Sequence, residues 1–321
     1  GHRSRSASPM SYQGEGRLLA NTASRTPMPL LEDHFQMEDA THTYKLLEKL
    51  GKGSFGNVYI AKMRKEKSSK RYAIKKCAID TRRKVQTICR EIGNLRNANH
   101  PNVVKFIGSY YHKETAWIVM EYCDAGTLRD LRYATTLEEQ HIAYVMRELL
   151  KGLSYMHSAG MMHRDIKGEN VLLSVQGDVK VADLGLAVPA VDDQKRIAGS
   201  KYWMAPEMIL AAGYGPKADI YSLGCTAYEL ADGLPPYAQH NAIRALFCAA
   251  KHGFPPLDCP KAWSADFLNF LACCSHPNPR DRPSSIDLLS HPFLNKACSK
   301  SDFAKLIASA FVMGSFHGFD I

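Results

Sequence analysis

Apolar residues recur along the chain in two rhythms, and the rhythm changes once. Between residues 44 and 122 the apolar runs are short and β-like. Residues 44–50, 58–61, 72–75, 103–107 and 117–122 read as five strands. One helical stretch interrupts them, at residues 85–97, where Ile88, Ile92 and Leu95 fall on a single face. After Gly126 the apolar spacing becomes helical. Residues 137–157 carry Ile142, Val145, Leu149, Leu150 and Leu153 at helical intervals, and further helices are predicted at 218–232, 242–251, 264–273 and 284–290. The pattern predicts an α+β protein: a small part made of a five-stranded sheet with one main helix, then a larger, mainly helical part.

The two ends depart from this pattern. Residues 1–42 are rich in Ser, Arg, Pro and Gly and lack periodicity, which predicts a flexible N-terminal extension. Residues 295–321 form a C-terminal tail. There Phe303, Leu306, Ile307, Phe311 and Val312 would make one apolar helical face, for the large part of the same chain or for a partner. No run of eighteen apolar residues suggests a transmembrane segment, and the N-terminus has no apolar signal core.

Composition changes this picture little. With 45% hydrophobic and 23% charged residues among 321, the chain is ordinary for a soluble globular protein. Nine irregularly spaced cysteines, none in a CxxC pair, read as free thiols of a reducing compartment rather than as disulfides or a zinc site. That places the chain in the cytoplasm, with the nucleus as a second location. The net charge of +9 admits nucleic acid as a partner. However, the densest basic run, residues 62–71, lies between two strands and reads as a solvated hairpin.

The motifs carry the chemistry. Gly51-Lys52-Gly53-Ser54-Phe55-Gly56-Asn57-Val58 matches G-x-G-x-x-G-x-V with strand-like flanks on both sides. Glycines there let backbone N–H groups approach a phosphate. Tyr72-Ala73-Ile74-Lys75 places a lysine for phosphate oxygens, and Glu91 on the following helix is the carboxylate to hold its stem. His163-Arg164-Asp165-Ile166-Lys167-Gly168-Glu169-Asn170 matches H-R-D-x-K-x-x-N. In it Asp165 can accept the proton of a substrate hydroxyl, Lys167 can neutralise a transferring phosphoryl group, and Asn170 can bind Mg²⁺. His163 reads as a packing residue. Asp183-Leu184-Gly185 supplies a second metal-binding group, the Asp183 carboxylate, with Leu184 as its apolar plug, and Ala205-Pro206-Glu207 follows.

On these motifs, residues 44–294 resemble a eukaryotic protein kinase. Lys167–Asn170, the stretch 199–207, the stretch 150–157 and His100-Pro101-Asn102-Val103-Val104 are similar to the sterile-twenty family of serine/threonine kinases. The resemblance implies a bilobal fold, with an antiparallel sheet in an N-lobe at 43–122 and a C-lobe at 123–294. It implies ATP and Mg²⁺ as cofactors and proteins bearing Ser or Thr as substrates, in a signalling cascade. It also places Leu50, Val58, Ala73 and Leu172 around the adenine, Met120 as gatekeeper, and Glu121 and Cys123 at the hinge backbone. Glu207 would pair with Arg282, Asp219 would hold the catalytic loop, and Leu186 would favour Ser over Thr acceptors. Lys75, Glu91, Asp165, Lys167, Asn170 and Asp183 are all present, which favours an active enzyme over a catalytically weak or dead scaffold or allosteric activator.

One family feature is missing. Between Leu186 and Gly199 there is no Ser, Thr or Tyr, and the family's usual phosphorylated position is Arg196. Ser200 reads instead as a substrate-facing hydroxyl beside Asp165 and Lys167. Arg164 still requires a counter-group. Asp192, Asp193 or a partner's carboxylate are the candidates, with activation at Ser200 as the rival. A regulatory protein acting through this loop or the tails would be the corresponding partner.

Overall fold

The computed structural model describes residues 31–53, 56–190, 194–210 and 213–312. Strands β1 (Tyr44–Gly53), β2 (Gly56–Met63) and β3 (Tyr72–Ala78) are followed by a 16-residue helix, α2 (Arg82–Asn97), after the short α1 (Leu31–His34). Strands β4 (Phe106–His112) and β5 (Thr115–Glu121) complete one antiparallel sheet in the order β1-β2-β3-β5-β4. Helix α2 is capped by Thr81, whose side chain accepts from the Lys84 N–H, and buries Val85, Ile88, Ile92 and Leu95. The basic run forms the exposed β2–β3 connection, as read from the sequence.

The expected strand at 103–107 lies further along the chain. Val103 and Val104 are both buried, and adjacent buried residues do not alternate as a half-buried strand requires. They are held between the lobes instead. Val104 N–H donates to Val181 O at 2.9 Å, and Val181 N–H donates to Asn102 O at 2.8 Å.

The flexible extension expected up to residue 42 is also corrected for residues 31–42. Phe35 is buried beside Tyr111, and Gln36 pairs in parallel with Tyr110 of β4. The Arg96 guanidinium donates to the carbonyls of Asp33 and His34, each at 3.0 Å. Polar composition hid this segment because its anchors are few and scattered, Phe35 and Ala40 in the core plus bonds to its backbone.

The large lobe is built from α3 (Leu128–Ala134), α4 (Glu139–Ser158), α5 (Pro206–Ile209), α6 (Lys217–Asp232), α7 (Ala242–His252), α8 (Ala265–Ser275), α9 (Ser285–Leu288) and α10 (Lys300–Val312). Every residue of α6 from Ala218 to Leu230 is buried, so it is the axis of the lobe. Two small ribbons form within this lobe, β6 (Met161–Met162) with β9 (Val188–Pro189) and β7 (Val171–Leu173) with β8 (Val179–Val181). The C-terminal tail's open alternative resolves for residues 300–312. Phe303 and Ile307 are buried in the chain's own core, with the Phe303 ring 4.9 Å from that of Tyr144. Val312 departs from the expected face and is 88% exposed.

Helix α3 went unpredicted, yet its signal is legible. Thr127 and Asp130 form a reciprocal capping box. Thr127→Ala should therefore cost about 1 kcal/mol, read as a lower denaturant midpoint with an unchanged slope.

Candidate active site

A cavity of about 590 Å³ separates the lobes, a size suited to a small ligand. At one end it is lined by Leu50, Gly51, Val58, Ala73, Met120, Glu121, Cys123 and Leu172, and at the other by Lys75, Glu91, Asp165, Lys167, Asn170 and Asp183. All of these were candidates from sequence. Thr127, Arg129 and Glu169 also line it and were missed as lining residues.

The glycines divide by role. Gly53 pairs with Gly56 across the β1–β2 turn. Ser54 and Phe55 lie outside the described residues, and Lys52 sits in β1 beside Gly53. A Cβ on Gly56 would lie 2.1 Å from the Lys76 carbonyl, so that glycine is required by the neighbouring strand. A Cβ on Gly51 would meet nothing within 4 Å, and Gly51 faces the cavity.

Strand β3 and helix α2 bring two distant residues into contact. Lys75 Nζ lies 2.6 Å from Glu91 Oε1 and 3.5 Å from Asp183 Oδ1. Lys75 and Glu91 are both almost fully buried. Burial works against the lysine charge, but the Glu91 and Asp183 carboxylates outweigh it and raise its pKa. Burial pushes Glu91 up as well, against the pull of Lys75. The short contact in a dry site is therefore what holds the pair. Asn94 of α2 adds a second tie, donating to the carbonyls of Leu184 (3.3 Å) and Ala187 (3.0 Å). Leu184 is fully buried, as expected of an apolar plug.

Residues of the 163–170 segment form a second cluster with Ser200. Asp165 Oδ1 accepts from the Ser200 N–H at 2.8 Å, and Oδ2 accepts from Asn170 Nδ2 at 2.9 Å. Lys167 Nζ donates to Ser200 Oγ at 2.8 Å and stands 3.6 Å from Asp165 Oδ2 and 3.1 Å from Glu169 Oε2. Asp219, on α6, holds this loop from beneath. Its two oxygens accept the backbone N–H groups of Arg164 (2.7 Å) and His163 (2.8 Å), and His157 Nε2 is 2.8 Å away. Burial alone would raise the Asp219 carboxyl, but these hydrogen bonds and the two histidines hold it below its ordinary value. His163 is fully buried, with Nε2 2.9 Å from the Ala182 carbonyl, in keeping with a packing role.

Two remaining sequence expectations find their places. Glu207 meets Arg282 in a fork, at 2.7 and 3.1 Å, with both side chains buried. Burial pushes the Cys123 thiol up to about 12, so the hinge cysteine is unreactive. Asp192 and Asp193, the proposed counter-groups for Arg164, lie outside the described residues. Ser200 lies against Asp165 and Lys167, while the Tyr202 hydroxyl donates away from them, to His240 O.

Glu229 was not singled out from sequence. It is buried on α6 and accepts from Trp203 Nε1 at 3.2 Å, and burial pushes its carboxyl up to about 7. A folded-state pKa above the unfolded value of 4.5 means that folding favours the protonated form. The stability it contributes is present below pH 4.5 and is lost as pH rises through about 7. Glu229→Gln should flatten that decline, making the variant more stable than wild type at pH 8 by about 1–3 kcal/mol. Parallel pH-dependent unfolding curves would test this.

Comparison with known proteins places the chain in a family. Residues 44–294 match the protein kinase domain. Serine/threonine-protein kinase pakC of Dictyostelium discoideum is 40% identical over 287 residues, 87% of this chain and 60% of its own length. Serine/threonine-protein kinase 1 of Arabidopsis thaliana is 40% identical over 298 residues, 91% of this chain and 35% of its own length. Serine/threonine-protein kinase shk1/pak1 of Schizosaccharomyces pombe is 39% identical over 275 residues, 85% of this chain and 42% of its own length. The chain thus spans about one third to three fifths of the length of these relatives. These relatives are in line with the sterile-twenty resemblance read from the motifs. With its domain match covering most of its length and its motifs assembled around one cleft, the chain belongs to the protein kinase family.

Proposed function

We propose that the domain transfers the γ-phosphate of ATP to Ser or Thr hydroxyls of proteins, within a signalling cascade, and that it does so without a phosphate on its activation loop. The observation that carries this reading is the simultaneous assembly of both clusters. The Lys75–Glu91 pair is closed at 2.6 Å, and Asp165 and Lys167 already converge on Ser200. Phosphoryl transfer asks a protein mainly for positioning and charge, and each charge is in place. Nothing in the cleft favours the scaffold alternative.

The adenine would lie between Val58, Ala73 and Leu172, with the backbone of Glu121 and Cys123 at its edge. Lys75 would hold phosphate oxygens, and Asp165 would orient the acceptor hydroxyl and take its proton. Lys167 would screen the transferring group. The site fits Mg²⁺. Asn170 spends its amide nitrogen on Asp165, at 2.8 and 2.9 Å, which leaves its carbonyl oxygen to ligate a metal, and the Asp183 carboxylate faces the cavity. Among the described residues no cluster of three or more His, Cys, Asp or Glu could cage a metal. An ion held by one carboxylate, one amide and phosphate oxygens is the arrangement Mg²⁺ prefers. When bound, Mg²⁺ would neutralise phosphate charge. Leu186 beyond the Asp-Leu-Gly turn supports a preference for Ser acceptors.

The test is transfer from labelled ATP to paired Ser and Thr peptides by phosphatase-treated protein, with and without a chelator. Transfer that is Mg²⁺-dependent and favours Ser, from a loop that mass spectrometry finds unmodified, is the expected result. Nucleotide binding with no transfer would overturn the reading, and transfer that appears only after Ser200 is phosphorylated would overturn its phosphate-free part. No helix among the described residues is long and apolar enough to cross a membrane. A cytoplasmic and nuclear location, and regulation by a protein docking on the loop or tails, complete the proposal.

A further inference from the structure

Arg164 precedes the catalytic Asp165 and is 5% exposed, in a left-handed backbone conformation with φ 71°. A buried guanidinium in that conformation is costly unless its hydrogens are placed. Nε donates to the Leu186 carbonyl at 2.8 Å, and Nη1 donates to the Tyr214 hydroxyl at 3.0 Å. Both acceptors are neutral. Tyr214 in turn donates its hydroxyl hydrogen to the Arg196 carbonyl at 2.6 Å. Arg196 is the position at which the loop lacks a phosphorylatable side chain.

The backbone of Tyr214 is bound to the same loop. Its N–H donates to Gln194 O at 3.1 Å, and its carbonyl accepts from Gln194 N–H at 3.2 Å. The ring is 2% exposed and packs with Met162, Val188 and Met208 in a small core beneath the loop. Just beyond, Gly199 has φ 113°, and a Cβ there would lie 2.5 Å from the Arg164 carbonyl. Loop and catalytic loop therefore touch directly, immediately before the Ser200 N–H reaches Asp165 at 2.8 Å.

We propose that Tyr214 is a positioning residue that stands in for the absent loop phosphate: its hydroxyl relays Arg164 to the Arg196 carbonyl and so holds the loop, Ser200 and Asp165 in register. The relay carries no net charge change and no modifiable loop residue, so it is set by folding rather than by a second enzyme. This inference rests on the phosphate-free kinase reading, and its test separates the two. Wild type against Asp165→Asn reports whether the chain transfers phosphate at all. Hydrogen exchange of residues 194–200 reports the relay without any turnover.

Tyr214→Phe keeps the ring in its core and removes only the hydroxyl. The expected result is a fall in kcat of about ten- to a hundredfold, with nucleotide affinity unchanged and faster exchange at 194–200. Arg164→Met should give a similar loss, and the double variant should lose no more than Arg164→Met alone, because both act through one contact. A purely structural role for Tyr214 would add its loss to that of Arg164→Met, and this would overturn the proposal. Full activity of Tyr214→Phe with unchanged exchange would overturn it as well, handing Arg164 to an acid elsewhere. Should Tyr214→Phe fail to fold, exchange at 194–200 in Arg164→Met decides: faster exchange supports the relay, and unchanged exchange refutes it.

Discussion

Asp165→Asn should slow phosphate transfer by about 10²–10⁴-fold while the protein still folds and binds nucleotide. The carboxylate has two oxygens and two donors, the Ser200 N–H at 2.8 Å and Asn170 Nδ2 at 2.9 Å. An amide offers one acceptor and one donor pair, so one of these contacts becomes donor against donor. The larger loss is chemical, since an amide takes no proton from the acceptor hydroxyl. The adenine end of the cleft, with Val58, Ala73 and Leu172, is untouched, and so is the Lys75–Glu91 pair at 2.6 Å. Nucleotide affinity should therefore stay within about twofold, because the contacts that carry it do not include Asp165. Peptide phosphorylation rates and a separate nucleotide titration measure both halves. A loss of less than tenfold would show that Asp165 is not the base.

Arg282→Met should destabilise the domain by about 3–5 kcal/mol. Arg282 is 1% exposed and donates to both Glu207 oxygens. It also donates to the Lys217 and His276 carbonyls, at 2.6 and 2.9 Å, and lies 5.2 Å over the Tyr221 ring. Removing it leaves the buried Glu207 carboxylate without its partner. Adding Glu207→Leu to Arg282→Met should recover part of the loss, because the stranded charge, more than the lost attraction, makes the single change expensive. Denaturant unfolding of the two single variants and the double variant reads this. A double variant worse than either single would refute the account.

How much of this was legible beforehand follows from where each function is written. Lys75, Glu91, Asp165, Asn170 and Asp183 sit at fixed spacings within short motifs, so their convergence could be read before the fold was known. Tyr214 belongs to no such motif. Its role exists only as a 3.0 Å contact across fifty residues of chain to Arg164, and a lone tyrosine before an apolar helix gives no sign of it. Glu229 looks like any glutamate near a helix end until burial marks it. Val103 and Val104 have strand composition, but their partners are on β8 in the other lobe, so composition named the right backbone conformation and the wrong sheet. The glycines of the β1–β2 turn look equivalent in the motif and are not. Gly56 answers to Lys76 and Gly51 to the cavity, a distinction that needs the neighbouring strand in place.

The pairing of Gln36 with β4 bears on self-association. Strand β4 is the last in its sheet, and its outward N–H of Tyr111 and carbonyl of Ser109 are both taken by Gln36, at 2.9 Å each. A protein trimmed to begin at residue 43, where composition alone would draw the boundary, exposes those groups together with the hydrophobic bed of Phe35. An open strand edge beside an uncovered apolar patch is a template for another copy's strand. Residues 31–36 thus cover part of that edge, and a form of the domain that begins at residue 31 is expected to self-associate less than one that begins at residue 43.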